Sequence, residues 1–344
     1  MAKIVKFGEA LHRAIMFAME KDPGVFVMGI GVDDHKAVFG STKGLIEKFG
    51  RERVFDTPIS EGAMTGVAIG AALGGMKPVH VHIRNDFLYL AMDQLMNMAA
   101  KWRYMFGGSM NVPIVVRAVV GRSWGQGAQH SQSLQSLFMH VPGLKVVMPT
   151  TAYDAQGLLL GAIFDKNPVV MIEHRLVYDI PGEVPDPPVA IPLKYAVVRR
   201  AGKDITLVAN SYMAVECLKA AEFLKDYGIE AEVVDPVTLV PMDTDVIVRS
   251  VQKTGRALIV DSSWVTCGMS AEVAAVIADR AFAELKGPVK RLGMQASTCP
   301  VSKPLENLFY PNAKTIAQET FRMLGKQIPD VEVPVLVNAF KGPF

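Results

Sequence analysis

Cysteine is scarce. Cys217, Cys267 and Cys299 are too few and too widely spaced for a disulfide framework, and an odd count leaves one over. They make no cluster with metal-ligand spacing, and a reducing, cytoplasmic setting is the expectation. An excess of one charge is also missing. Lys and Arg total 36 against 34 Asp and Glu, a formal net charge of +2, and no basic run stands out. That balance argues against nucleic acid or an anionic membrane as the main partner. No apolar run approaches the roughly 20 residues that span a bilayer. The opening Met-Ala-Lys-Ile-Val-Lys-Phe leads into a helical pattern rather than a signal peptide. Glycine-spaced loops occur, but no strand–loop–helix dinucleotide fingerprint is complete and no sequence repeat is visible.

What is present is an ordinary globular composition, half hydrophobic and a fifth charged, over 344 residues. That length suggests about two domains, each with its own core. The most unusual stretch runs from Asp56 to Met76. Pro58 pushes Thr57 toward an extended conformation, and Ser60 is placed to cap a helix. The helix that follows is small or apolar, with Gly62, Gly66, Gly70 and Gly74 along one face. Each glycine costs helix stability relative to alanine, so close approach of another backbone is expected there. Glu61 is the only ionisable group between Asp56 and Lys77. A carboxylate in a first turn complements the helix dipole. One that opens a buried apolar helix is also partly desolvated, and such groups usually have a specific hydrogen-bonding task.

Hydrophobic periodicity predicts strands at 25–30, 79–83, 112–120, 145–148 and 169–173. Helices are predicted at 8–21, 41–49, 88–105 and 153–164. Pro181, Pro185, Pro187, Pro188 and Pro192 mark a linker that cannot join a sheet interior. A second alternating unit follows, with strands at 205–209, 231–234, 257–261 and 289–292 and helices at 214–227, 244–253, 270–285 and 315–324. Ser270 is read as a helix cap, and Gly228 and Gly255 fall just past helix ends. The pattern predicts α/β architecture: two doubly wound domains, residues 1–179 and 200–330, joined by a linker at 180–199. An apolar tail at 331–344 is expected to dock on its own domain or on another subunit.

Among single residues, His35 reads as a solvated loop histidine. His80 and His82 share one face of a strand, and with no third ligand nearby they read as partnered strand histidines rather than a metal pair. Met92, Met96 and Met98 read as core. His130 ends a loop containing Gly121, Gly125 and Gly127, a position suited to chemistry.

Asp-Thr-Pro-Ile-Ser-Glu at 56–61, Met-Asp-Gln at 92–94, Ala-Ala-Lys at 99–101, Gln-His-Ser-Gln at 129–132, Pro-Gly-Leu-Lys-Val-Val at 142–147 and Pro-Leu-Glu at 304–306 carry a family resemblance. The chain resembles the beta subunits of thiamine-diphosphate-dependent 2-oxo acid dehydrogenases of the pyruvate, branched-chain and acetoin type, within the transketolase-like superfamily. The resemblance implies a pyrimidine-binding domain followed by a transketolase C-terminal-type domain. It implies that Glu61 hydrogen-bonds the cofactor's aminopyrimidine, that Phe87 stacks on that ring, and that Ile83 belongs to the same pocket. A carboxyl group in a dry site can share a proton with the ring, which makes the neighbouring nitrogen the base that activates the thiazolium carbon. His130 matches the histidine that assists proton transfer and passage of the acyl group to lipoamide. Ala162 and Ile163, with Asp165, Asn167 and Ile114, look like the family's structural potassium loop; spacing alone reads as a helix C-terminus and turn.

The superfamily holds the diphosphate through Mg²⁺ at a Gly-Asp-Gly motif, which occurs nowhere in this chain. The resemblance therefore implies a separate alpha subunit supplying that half of the site, most simply as an α2β2 assembly. The glycine stripe would then be a subunit contact and a lipoyl-bearing acyltransferase the acyl acceptor. Where many relatives have an acidic residue after the first glycine, this chain reads Gly29-Ile30-Gly31-Val32, which puts proton communication between sites in question. Arg84-Asn85-Asp86-Phe87 and Arg122-Ser123-Trp124 also depart from the commonest pyruvate-type patterns, leaving the 2-oxo acid open. Two alternatives stand beside this reading: half of a split transketolase or acyloin-type transferase, and a non-catalytic assembly subunit.

Overall fold

The computed structural model describes residues 2–122 and 125–329. The apolar tail expected at 331–344 lies outside the described residues, as do Ser123 and Trp124. Contacts divide the chain into two units. The first comprises the chain up to Gly121, Leu137–Lys194 and Thr238–Pro241; the second comprises Arg122–Ser136, Tyr195–Val237 and the chain from Met242 onward.

In chain order the first unit contains β1 (Ala2–Lys6), α1 (Phe7–Lys21), β2 (Val25–Gly29), α2 (Leu45–Phe49), β3 (Val54–Asp56), α3 (Glu61–Leu73) and β4 (Lys77–His82). It continues with α4 (Ala100–Met105), β5 (Val115–Val120), α5 (Gln135–Met139, whose first two residues fall in the second unit), β6 (Lys145–Val147), α6 (Ala152–Ile163), β7 (Val169–His174) and β8 (Pro181–Pro185). The second unit has β9 (Val197–Arg200), β10 (Ile205–Ala209), α7 (Ser211–Lys225) and β11 (Ala231–Asp235). After β12 (Thr238–Val240), which joins the first unit, come α8 (Thr244–Thr254), β13 (Ala257–Trp264), α9 (Met269–Arg280), β14 (Lys290–Met294), α10 (Lys303–Phe309) and α11 (Ala313–Met323).

The first unit is built on a seven-stranded sheet of order β12-β6-β7-β5-β4-β2-β3, parallel except for β12. Strands β2, β5 and β7 are buried along their whole length, as parallel strands covered on both faces must be. The second unit has a five-stranded sheet, β14-β13-β10-β11-β9, antiparallel only at β9. The expected α/β class with two doubly wound units is what the chain forms. Gly255 ends α8 in the left-handed region, its N–H on the Val251 carbonyl at 2.7 Å, as a C-terminal glycine should.

Several expectations are corrected. The proline-rich segment contributes β8, which pairs antiparallel with β1 in a two-stranded sheet; proline is tolerated at such an edge. The helix predicted over 88–105 is three pieces: a 3₁₀ segment Asn85–Ala91, a π segment Gln94–Ala99, and α4. Its methionines are not core: Met92 and Met96 are half-buried and Met98 is exposed, whereas Leu95 and Ala99 are buried. Ser60 stands at the start of α3 but its side chain makes no cap, and Ser270 lies inside α9 rather than before it. Among the described residues, only Gly62 of the glycine stripe closely meets the backbone of another segment. A Cβ there would lie 2.8 Å from the Leu90 carbonyl oxygen, while one at Gly70 would meet nothing within 4 Å.

Candidate active site

Because β3, β2, β4 and β5 run parallel, their carboxyl ends share one edge of the sheet. Ligands of open α/β sheets bind in the crevice outside such an edge. Four loops leave it. The loop after β2 turns sharply: Gly29 has φ +149°, and a Cβ there would lie 2.2 Å from the Val81 carbonyl oxygen, so only glycine fits. Asp56, at the end of β3, gathers this loop by accepting the N–H groups of Gly31 at 3.2 Å, Val32 at 2.6 Å and Asp33 at 3.1 Å. Ile83 follows β4 directly and approaches the loop at Gly31, where an added Cβ would lie 3.7 Å from its Cδ1. The 3₁₀ segment carrying Phe87 follows, and the first turn of α3 packs against it at Gly62 and Leu90. Glu61, Ile83 and Phe87 are thus assembled at one edge of one sheet, Ile83 and Phe87 half-buried.

Glu61 is 6% exposed, and no described residue gives its carboxylate a hydrogen bond or an ion pair. Its carboxylate oxygens keep contact with solvent, so the acid is open to a ligand that brings its own donor. One turn on, Thr65 is fully buried, and its hydroxyl lies 3.2 Å from His80 Nε2. His80 Nδ1 is 3.4 Å from the Met28 carbonyl, so the Nδ1–H tautomer donates there and Nε2 accepts from Thr65. His82 packs edge-on against His80, ring centroids 4.3 Å apart, with no hydrogen-bond partner for either nitrogen. The expected pair of partnered histidines is therefore one partnered and one not. Burial pushes His80 down to about 4, and burial together with His80 lowers His82 well below its ordinary value.

His130 belongs to the second unit, half-buried in a loop that is fastened at several points. Tyr310 donates to the Ser131 carbonyl at 3.1 Å, Ser133 and Ser262 share a hydrogen bond at 3.0 Å, and Gln135 Nε2 donates to Asp261 at 2.7 Å. Asp261 also receives the N–H groups of Ser263 and Ser270. Burial raises its carboxyl above the ordinary range against the pull of those donors.

The five residues resembling a potassium loop sit around the C-terminus of α6. Ile114's carbonyl accepts from Val169 N–H at 2.9 Å and Ala162's from Asp165 N–H at 3.2 Å. Asp165 is taken up by the Lys145 ammonium and by Asn167, which donates from its backbone and side chain. Burial opposes the charged form of Asp165, but those donors bring it below the usual carboxylate range. A cation there would rely on carbonyl oxygens, of which Ala162's already accepts from both the Phe164 and the Asp165 N–H. Among the described residues no group of three or more His, Cys, Asp or Glu could hold a metal ion.

The sequence reading missed a buried network behind the edge. Arg117 on β5 donates to Glu173 on β7 through Nε at 2.7 Å and Nη2 at 2.9 Å, and to Ser41 at 3.1 Å; Tyr178 donates to the same carboxylate. Both charged side chains are 0% exposed. A lone arginine interrupting the apolar 112–120 strand was the available signal.

The family profile described as "Transketolase, pyrimidine binding domain" matches residues 3–181, and "Transketolase, C-terminal domain" matches 194–316. These define a two-domain transketolase-type protein. Over 338 residues the chain is 42% identical to the acetoin:2,6-dichlorophenolindophenol oxidoreductase subunit beta of Bacillus subtilis (strain 168), covering 95% of this chain and 99% of that one. It is 41% identical to the mitochondrial pyruvate dehydrogenase E1 component subunit beta-1 of Arabidopsis thaliana, covering 93% and 90%. It is 40% identical to the 2-oxoisovalerate dehydrogenase subunit beta of Bacillus subtilis, covering 90% and 95%. A solved structure titled "Split gene transketolase, inactive beta4 tetramer" superposes with a TM-score of 0.75 at 23% identity, over 94% of this chain and 99% of that one, a likeness of fold. The chain belongs to the beta subunits of the thiamine-diphosphate-dependent 2-oxo acid dehydrogenases, within the transketolase-like family.

Proposed function

We propose that this chain forms half of a decarboxylating component that acts on a small 2-oxo acid and passes the acyl fragment to a lipoyl-bearing acyltransferase. A separate alpha subunit with a Gly-Asp-Gly motif would hold the diphosphate and its Mg²⁺. The observation that carries this reading is Glu61, a residue 6% exposed whose carboxylate has no partner among the described residues, at the same carboxyl edge of a parallel sheet as Ile83 and Phe87. Those residues suit an aminopyrimidine: an apolar wall, an aromatic face and an acid able to share a ring proton. Bound thiamine diphosphate supplies an acidic thiazolium carbon that adds to 2-oxo groups. Glu61 holds the ring in its reactive tautomer, Phe87 and Ile83 fix its plane and exclude water, and His130 moves protons and guides the acyl group onward.

The exposed face of α3 at Gly66, Val67 and Gly70 supports a subunit contact in an α2β2 assembly, since small residues permit close backbone approach. Residues 1–179 form the pyrimidine-binding part and 200–330 the C-terminal part in this reading. A cytoplasmic location fits the free thiols of Cys217, Cys267 and Cys299. Potassium at Ile114, Ala162, Ile163, Asp165 and Asn167 would brace α6; a melting temperature indifferent to exchanging sodium for potassium would count against it.

The test is Glu61→Gln in the complex reconstituted with its alpha chain. Turnover should fall at least about 100-fold with assembly intact. Unchanged turnover would leave Glu61 no chemical role. Acylation of a lipoyl domain, rather than transfer to an aldehyde acceptor, separates the dehydrogenase reading from a transketolase-like one.

A further inference from the structure

The guanidinium of Arg122 sits at the head of the His130 loop, 4.0 Å from the ring centroid of Tyr310 and 5.4 Å from that of Tyr212. Aromatic faces attract a cation without neutralising it. Nη1 is buried with no hydrogen-bond partner, and among the described residues no carboxylate lies within ion-pair distance of Arg122. The contrast is local: Lys219, the other cation over Tyr212, is paired with Glu216 at 2.7 Å. Tyr310 ties the charge to the reacting loop, because the ring that faces Arg122 carries the hydroxyl that donates to Ser131, the residue after His130. A planar guanidinium held against aromatic rings, half-buried and lacking an anion, matches a carboxylate in shape and charge.

We propose that Arg122 is a specificity-determining residue that receives the carboxylate of the 2-oxo acid substrate. This rests on the decarboxylating function above and goes beyond it, because it assigns the group that distinguishes a 2-oxo acid from an uncharged acyloin. Arg122 binds the carboxylate in the ground state; that group departs as carbon dioxide, so the contact governs capture more than the chemical step.

The probe is methyl acetylphosphonate, an anionic 2-oxo acid analogue that cannot lose carbon dioxide. Its Kd is measured by calorimetry on the reconstituted, cofactor-loaded complex for wild type, Arg122→Lys and Arg122→Gln. Arg122→Gln should weaken the analogue about 10- to 100-fold, as expected for losing a charged hydrogen-bonding partner. Arg122→Lys should weaken it less, and thiamine diphosphate affinity and melting temperature should stay at wild-type values. An analogue Kd within about twofold of wild type for Arg122→Gln, or a parallel loss of cofactor affinity, overturns the assignment. A wild-type complex that takes up neither cofactor nor analogue removes the parent function and this assignment with it.

Discussion

Acidification should loosen the sheet edge through His80 before it affects the rest of the first unit. The imidazole is 2% exposed and burial lowers it from 6.5 to about 4. Above pH 6.5 it is neutral in both folded and unfolded chains and contributes no pH dependence. Below 6.5 the unfolded histidine gains a proton that the folded one refuses, so stability falls until the pH reaches about 4. The separation corresponds to about 3 kcal/mol in full, of which about 2 kcal/mol is lost between pH 7 and pH 5. His82, lowered by burial and by His80, adds a loss of the same sign. Protonation also turns Nε2 into a donor and breaks its acceptance from Thr65, one turn from Glu61. Hydrogen exchange at the amides of β4, read at pH 7 and pH 5, measures the local opening free energy. In His80→Gln/His82→Phe, where glutamine keeps a donor for Met28 and an acceptor for Thr65, most of that drop should vanish. The same drop in variant and wild type would refute the titration account.

Glu173→Ala strands the fully buried Arg117 and should cost about 3–5 kcal/mol, seen as a lower melting temperature. Asp56→Ala releases three backbone N–H groups of the loop facing Ile83; it should raise the Kd of thiamine diphosphate in the complex by about tenfold or more, with the lipoyl reaction otherwise intact. Tyr310→Phe removes the hydroxyl that fastens Ser131 and should lower kcat for lipoyl acylation while leaving cofactor affinity unchanged in calorimetry.

Much of this was legible in the sequence because it follows from backbone periodicity and local motif. The strand at 205–209 and the glycine that ends α8 depend on neighbours in the chain, and they stand as read. What tertiary packing decides was not legible. The 88–105 segment reads as one amphipathic helix, yet it runs through 3₁₀, π and α geometry in turn, with the 3₁₀ part receiving Gly62 of α3 at Leu90. Its methionines read as core, yet Met92 and Met96 are half-buried and Met98 is exposed, because apolar type alone does not say which face is covered. The proline segment reads as linker and nevertheless finds an edge partner in β1, some 175 residues away. At the site, Glu61 was recognisable from its isolation in an apolar stretch. The Thr65–His80 link, the Asp56 cradle and the clasp of Tyr310 on Ser131 join residues far apart in sequence, and no spacing rule points to them.

Shared construction of the cofactor site is the claim on which the rest stands, and titration calorimetry with thiamine diphosphate and Mg²⁺ tests it most directly. The isolated chain should bind weakly, the assembled complex tightly, and the complex carrying Glu61→Gln should bind with lowered affinity and an altered pH dependence. Tight, magnesium-dependent binding by the isolated chain would contradict the account.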